Sequence, residues 1–162
     1  MTTIDELLKS NENYATRFDK GDLPMPPGRR VAIVACMDAR LDVYRMLGLT
    51  EGEAHVIRNA GGVISSDVER SLAISQRLLG TREIALIHHT DCGMLTFNDD
   101  ELREQIAAET GIRPPFAFEA FDDPREDVRQ SMRRIEASPF IQHKDGVRGF
   151  VFDVKTGRLD EV

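Results

Sequence analysis

Two continuous apolar runs constrain this chain more than anything else in it. Val31-Ala-Ile-Val-Ala-Cys36 and Glu83-Ile-Ala-Leu-Ile-His88 lack the polar alternation of a half-wet strand, so each suits a strand covered on both faces. Such strands belong in a parallel sheet sandwiched between helices. The stretch between the runs carries the parts that a crossover needs. Ala54-His-Val-Ile57 is a shorter candidate strand. Ser66 and Glu69 read as a capping box that opens a helix through Leu72, Ile74 and Leu78, closed by Gly80. Strands alternating with helices imply right-handed βαβ crossovers and a mostly parallel sheet.

The flanks are helical. In residues 3–19, Ile4, Leu7, Leu8, Asn11, Tyr14 and Phe18 recur at helical spacing, and Thr3 with Glu6 fits a capping box. That helix stops at Gly21, and Leu23-Pro-Met-Pro-Pro-Gly28 is a stiff, extended connector. A long first helix on such an arm is expected to leave its own subunit and pack on a partner chain. Residues 99–110 predict a helix ending at Gly111, and Ile112 to Phe121 an aromatic loop serving packing or an interface. Asp123 as N-cap and Pro124 at the first helical position start a helix with Val128, Met132 and Ile135 on one face. Val147 to Val154 is the last predicted strand, turned by Lys155-Thr-Gly157 towards the final residues. With no internal repeat and no linker, residues 1–162 read as one α/β domain, residues 1–28 forming the N-terminal helix and Pro-rich arm.

Charge and apolar content exclude several classes. Across 162 residues, 21 Lys and Arg against 28 Asp and Glu give a net charge of −7, with no basic stripe to neutralise phosphates, so nucleic acid is not an expected partner. No apolar run approaches the roughly 18 residues that cross a bilayer, so no membrane partner is expected. Met1-Thr-Thr-Ile-Asp-Glu-Leu-Leu lacks the basic and apolar regions of a signal peptide, and a cytoplasmic location is expected. Two cysteines make no disulfide framework; in a reducing compartment they are free thiols or ligands.

The chemistry concentrates at the ends of the two apolar runs. Cys36 closes the first and is followed by Met37-Asp38-Ala39-Arg40; His89 and Cys92 lie just past the second, in His88-His89-Thr90-Asp91-Cys92-Gly93. Parallel sheets build their sites outside the carboxyl ends of strands. If the two strands are neighbours, Cys36, His89 and Cys92 converge there. A thiolate–imidazole–thiolate set suits zinc better than magnesium or calcium. Three protein ligands leave a fourth position, which water or the nearby Asp38 would take. A bidentate pair with Arg40 would hold Asp38 off the metal and make it a hydrogen-bond acceptor. His88 should point to the opposite face from His89. His55 and His143 read as surface or packing residues, and Arg58-Asn59-Ala60-Gly61-Gly62 as backbone positioning beneath the metal.

Cys36-x-Asp38-x-Arg40 and His89-x-x-Cys92-Gly93, with Arg58-Asn59-Ala60-Gly61 between them, resemble the three signature segments of the β-class carbonic anhydrases, in order. The resemblance covers most of the chain. It implies Cys36, His89 and Cys92 as zinc ligands, Asp38 and Arg40 as the family's dyad, and a parallel sheet with an antiparallel edge strand. It further implies a homodimer, or a homotetramer built from it, whose N-terminal helices embrace the partner.

The expected activity is reversible hydration of CO2 to bicarbonate: zinc acidifies its bound water, and the hydroxide attacks an electrophilic carbon. Two thiolates cancel the charge of Zn²⁺, so the remaining Lewis acidity is weaker and activity should rise above neutral pH. Gly61, Val63, Ile64, Met94 and Leu95 are the expected pocket residues, their apolar members forming a wall that suits a small uncharged substrate. Carbonyl sulfide hydrolysis, releasing hydrogen sulfide and CO2 by the same attack, is the alternative. Two non-enzymatic readings stand beside these: a zinc-binding regulatory protein with Asp38 permanently closing the metal, and a pair of buried or redox-active cysteines.

Overall fold

A computed structural model describes residues 1–162. Its centre is a five-stranded sheet of β1 (Val31–Cys36), β2 (Ala54–Asn59), β3 (Glu83–His89), β4 (Gly146–Phe152) and β5 (Leu159–Glu161), in the order β2-β1-β3-β4-β5. β1 pairs in parallel with β2 and β3, β3 pairs in parallel with β4, and β5 lies antiparallel along the edge of β4. The chain steps from β1 to β2 on one side, then returns to β3 on the other. The carboxyl ends of β1 and β3 therefore flank the point where strand order reverses, the place where open α/β sheets leave a crevice.

The apolar runs behave as their composition requires. Ile33, Ala35 and Ile87 join a core with Leu41, Val43 and Phe152. Ala32, Val34, Ile84 and Leu86 join a second core with Val68, Leu72 and Ile135 from the helices α3 (Ser66–Arg77) and α5 (Pro124–Ala137). Alternate residues thus feed opposite faces, and neither face is wet. α1 (Thr3–Ala15) stands apart from both cores with no buried residue, while α2 (Val43–Leu47) and α4 (Asp99–Thr110) complete the helices.

Several local expectations shift. α1 is capped by Thr2 with Asp5, a reciprocal box one residue earlier than Thr3 with Glu6. It ends at Ala15 rather than residue 19, because its last turn tightens into bonds from Arg17 to Tyr14 and from Phe18 to Ala15. α3 is capped by Ser65, whose hydroxyl accepts from Val68 N; Glu69 accepts instead from the Ser138 hydroxyl, so it is unavailable for a capping box with Ser66. Gly111 and the Asp123-Pro124 start stand where expected.

Candidate metal centre

Parallel pairing of β1 with β3 sets Ala35 opposite Ile87, which brings Cys36 and His89 to one edge of the sheet. The chain then turns through Thr90 and Asp91 and returns Cys92 to the same spot. Thr90 is pinned during that turn: its N–H donates to the Phe152 carbonyl at 2.9 Å, and its hydroxyl accepts from Val154 N at 3.1 Å. The donor atoms of Cys36, His89 and Cys92 all lie within 4.8 Å of one another. All three side chains are buried, at 4%, 0% and 3% exposure.

The geometry suits a tetrahedral cation. Two sulfurs bound to zinc at about 2.3 Å stand roughly 3.8 Å apart; here Cys36 Sγ and Cys92 Sγ are 4.0 Å apart. His89 Nδ1 lies 2.7 Å from the Thr90 carbonyl oxygen, which can only accept. Nδ1 therefore carries the proton, and Nε2 presents a lone pair to the sulfurs. Nε2 is buried and has no hydrogen-bond partner, an orphan that a bound cation would satisfy.

Electrostatics point the same way. The hydrogen bond between the two sulfurs drives the Cys36 thiol well below its ordinary pKa, and the same contact drives Cys92 up. Burial pushes the His89 imidazole down, but its contact with Cys36 and its bond to Thr90 prevail and raise it. A cation here would compete with these protons, so its affinity grows with pH.

Above the sulfurs sits Asp38. Arg40 grips it along one edge of the guanidinium, from Nε to Oδ1 at 3.0 Å and from Nη2 to Oδ2 at 2.8 Å, while Arg40 N donates to Oδ1 at 2.9 Å. These bonds hold the Asp38 carboxyl far below the usual carboxylate range. Asp38 Oδ2 remains 3.7 Å from His89 Nε2. Two further partners complete the site: Arg58, expected only as part of a backbone-positioning segment, and Asp91, which the sequence reading assigned no role. Arg58 donates from Nε to the Cys36 carbonyl at 2.9 Å and from Nη2 to the Asp38 carbonyl at 2.8 Å, locking the backbone that carries both side chains. Asp91 takes the other edge of the Arg40 guanidinium. A strand-end arginine and an acid between two ligands were the available signals.

The Gly61-Gly62 pair lies beneath this group. Gly62 has φ +70°, and a Cβ there would meet Cys36 N, Ala35 C and Ile87 O at 3.0–3.1 Å. A side chain would therefore push β1 and β3 apart where they present the donors. His88 points away, fully buried, with Nε2 2.7 Å from Asp127 on α5. His55 Nδ1 pairs with the Ser75 hydroxyl at 2.7 Å.

A cavity of about 380 Å³ opens over Cys36, Asp38 and Cys92. Gly61 and Met94 line it; Val63, Ile64 and Leu95 do not. Ile64 has passed beneath the strands into the core of Val68 and Leu72, Val63 packs on Gly61, and Leu95 turns to solvent at 36% exposure. The apolar wall comes instead from Met37, Phe97, Leu102 and Phe118. Phe118 belongs to the loop assigned above to packing, and Asp99 brings it in by accepting from Phe118 N, Glu119 N and Ala120 N at 2.7–3.0 Å.

This assembly has close counterparts. The chain is 66% identical to beta-carbonic anhydrase 1 of Mycobacterium tuberculosis, across all of this chain and 99% of the relative. It is 43% identical to a carbon disulfide hydrolase of Saccharolobus solfataricus, across 96% of this chain and 87% of the other. The fold superposes on the crystal structure of a carbonic anhydrase from Streptococcus mutans with a TM-score of 0.93 and 43% identity, covering 100% of this chain and 98% of that one. A family model described as carbonic anhydrase matches residues 31–159, from the first residue of β1 to the first of β5. With two sulfurs and an imidazole converging over a switch point in that shared fold, the chain belongs to the β-carbonic anhydrase family.

Proposed function

We propose that this protein catalyses the reversible hydration of CO2 to bicarbonate, with zinc held by Cys36, His89 and Cys92. The observation that carries the reading is the orphaned, buried Nε2 of His89 facing two sulfurs 4.0 Å apart, at the base of an apolar cavity. Zinc bound there supplies the Lewis acidity that brings water to nucleophilic strength near neutral pH. The chain does the rest. Asp38, kept ionised by Arg40, accepts a hydrogen bond from the attacking water and aims its lone pair at the substrate carbon. Arg40 holds both Asp38 oxygens, a grip that would favour a carboxylate orienting water over one bound to the metal. Met37, Met94, Phe97 and Phe118 admit a small uncharged molecule and exclude bulk water.

A second reading, hydrolysis of carbonyl sulfide to hydrogen sulfide and CO2, draws on the apolarity of that wall and on the likeness to a carbon disulfide hydrolase. Sulfur is larger and softer than oxygen, and an apolar pocket discriminates between such neighbours only weakly. Measuring kcat/KM for both substrates by stopped flow, on one zinc-loaded preparation across pH 6 to 9, decides between them. CO2 hydration that is lost on chelation, restored by zinc and rising with pH supports the first reading. A larger kcat/KM for carbonyl sulfide supports the second, and no turnover of either overturns both.

The active form is a homodimer, which further pairing can extend to a homotetramer. α1 buries none of its residues, and Ile4, Leu7, Leu8, Tyr14 and Phe18 all lie exposed along it; a second subunit is the natural cover for such a stripe. No helix is long and apolar enough to cross a membrane. Two unpaired cysteines fit work in the reducing cytoplasm.

A further inference from the structure

We propose that Asp91 is a positioning residue for the site, holding the Arg40 guanidinium in the one plane from which both oxygens of Asp38 are gripped. The inference rests on the zinc reading above and adds a residue to it. Arg40 spends its donors on two adjacent edges. Nε and Nη2 serve Asp38, while Nη1 donates to Asp91 Oδ2 and Nη2 to the Asp91 carbonyl oxygen, both at 2.8 Å. A planar fork held along both edges cannot tilt without breaking bonds to each partner. Held along the Asp38 edge alone, it swings about its own stem and takes Asp38 with it.

The backbone at Asp91 is built for this. Its φ is +53°, a left-handed conformation that residues other than glycine adopt seldom, and one that persists where surrounding structure over-determines it. Here the preceding residue, Thr90, is tied to Phe152 and Val154. The left-handed turn lets the Asp91 carbonyl and its own carboxylate reach the same guanidinium. Stability does not account for the arrangement: the Arg40 and Asp91 side chains are 47% and 76% exposed, and an exposed ion pair contributes little to folding. What it does control is the atom nearest His89. Asp38 Oδ2, 3.7 Å from His89 Nε2, is held back by the same Nη2 that Asp91 anchors.

The test compares Asp91→Ala, Asp91→Asn and Asp91→Gly in the full-length protein. The readouts are CO2 hydration kinetics, Tm, and the visible spectrum of the cobalt(II)-substituted form, which distinguishes a carboxylate from water as fourth ligand. Asp91→Ala should lower kcat about tenfold, the range for residues that orient a metal site from behind. KM should hold, because Asp91 does not line the cavity, and the cobalt spectrum should move to the carboxylate-bound form. Asp91→Asn keeps an oxygen acceptor and should recover most of the loss. Asp91→Gly relaxes the backbone yet lacks the carboxylate, and should behave like Asp91→Ala. An unchanged cobalt spectrum in Asp91→Ala, with activity either intact or falling only as Tm falls, overturns the proposal. A wild type that hydrates no CO2 overturns the assigned function instead, and the paired cobalt spectra still decide the role of Asp91.

Discussion

Asp38 Oδ2 stands between two claims: Arg40 Nη2 holds it at 2.8 Å, and His89 Nε2 lies 3.7 Å beyond. Gripped at both oxygens by one planar guanidinium, the Asp38 carboxylate cannot turn towards His89 without breaking a bond to Arg40.

Replacing Arg40 by Lys keeps the charge but loses the two-point grip, since an ammonium cannot match both carboxylate oxygens in one plane. Arg40→Lys should lower kcat/KM for CO2 hydration about 10- to 100-fold, with zinc content retained. Stopped-flow rates beside metal analysis on the same sample check this.

Gly62 is the hinge on which the donors rest. With φ +70° and three backbone atoms at 3.0–3.1 Å from any Cβ, Gly62→Ala should cost about 2 kcal/mol or more, combining left-handed strain with a clash that no side-chain rotation relieves. Urea unfolding measures the loss, and zinc bound per chain should fall with it.

Asp99 ties the Phe118 loop to the start of α4. Burial pushes its carboxyl up, but donors from Ala120, Glu119 and Phe118 prevail and leave it below its ordinary value. A folded pKa beneath the unfolded value of about 3.9 means stability present in full above that pH and lost as pH falls through the folded value. Asp99→Asn should therefore cost about 1–2 kcal/mol at neutral pH, and the gap from wild type should close as pH falls through the lowered Asp99 pKa. Because Phe118 lines the cavity, KM should rise as well.

α1 exposes Leu7 and Leu8 and buries nothing within its own chain. The double substitution Leu7→Glu with Leu8→Glu should shift light scattering at micromolar concentration from dimer to monomer, leaving the far-ultraviolet helix signal nearly intact. A wild type already monomeric at that concentration would contradict the dimer.

The parts legible in the sequence are those written in several neighbouring residues at once. β1 and β3 announce themselves because the middle of a strand buried on both faces is apolar without alternation, and the motif at their ends needs only that they be neighbours, which the β1–β3 register provides. The element that went unread is short: α2 spans five residues, too few for a helical period. β5, three residues paired along Phe150 to Phe152, was expected as the antiparallel edge through the family resemblance and the Lys155-Thr-Gly157 turn, not from any period of its own. Cap positions slipped by one at Thr2 and Ser65, where adjacent Thr or Ser residues offer the same chemistry and tertiary partners choose between them. The cavity wall was the least legible part. Phe118 reaches it through an Asp99 contact 19 residues away in sequence, and no local spacing encodes such a contact.

X-ray absorption at the zinc edge of the purified, zinc-loaded protein tests the central claim most directly. Two sulfurs at about 2.3 Å, one nitrogen at about 2.0 Å and one further light atom are the result predicted for Cys36, His89 and Cys92 with an open fourth position. A shell with one sulfur or none, or one that is unchanged in a Cys92→Ser variant, would contradict it.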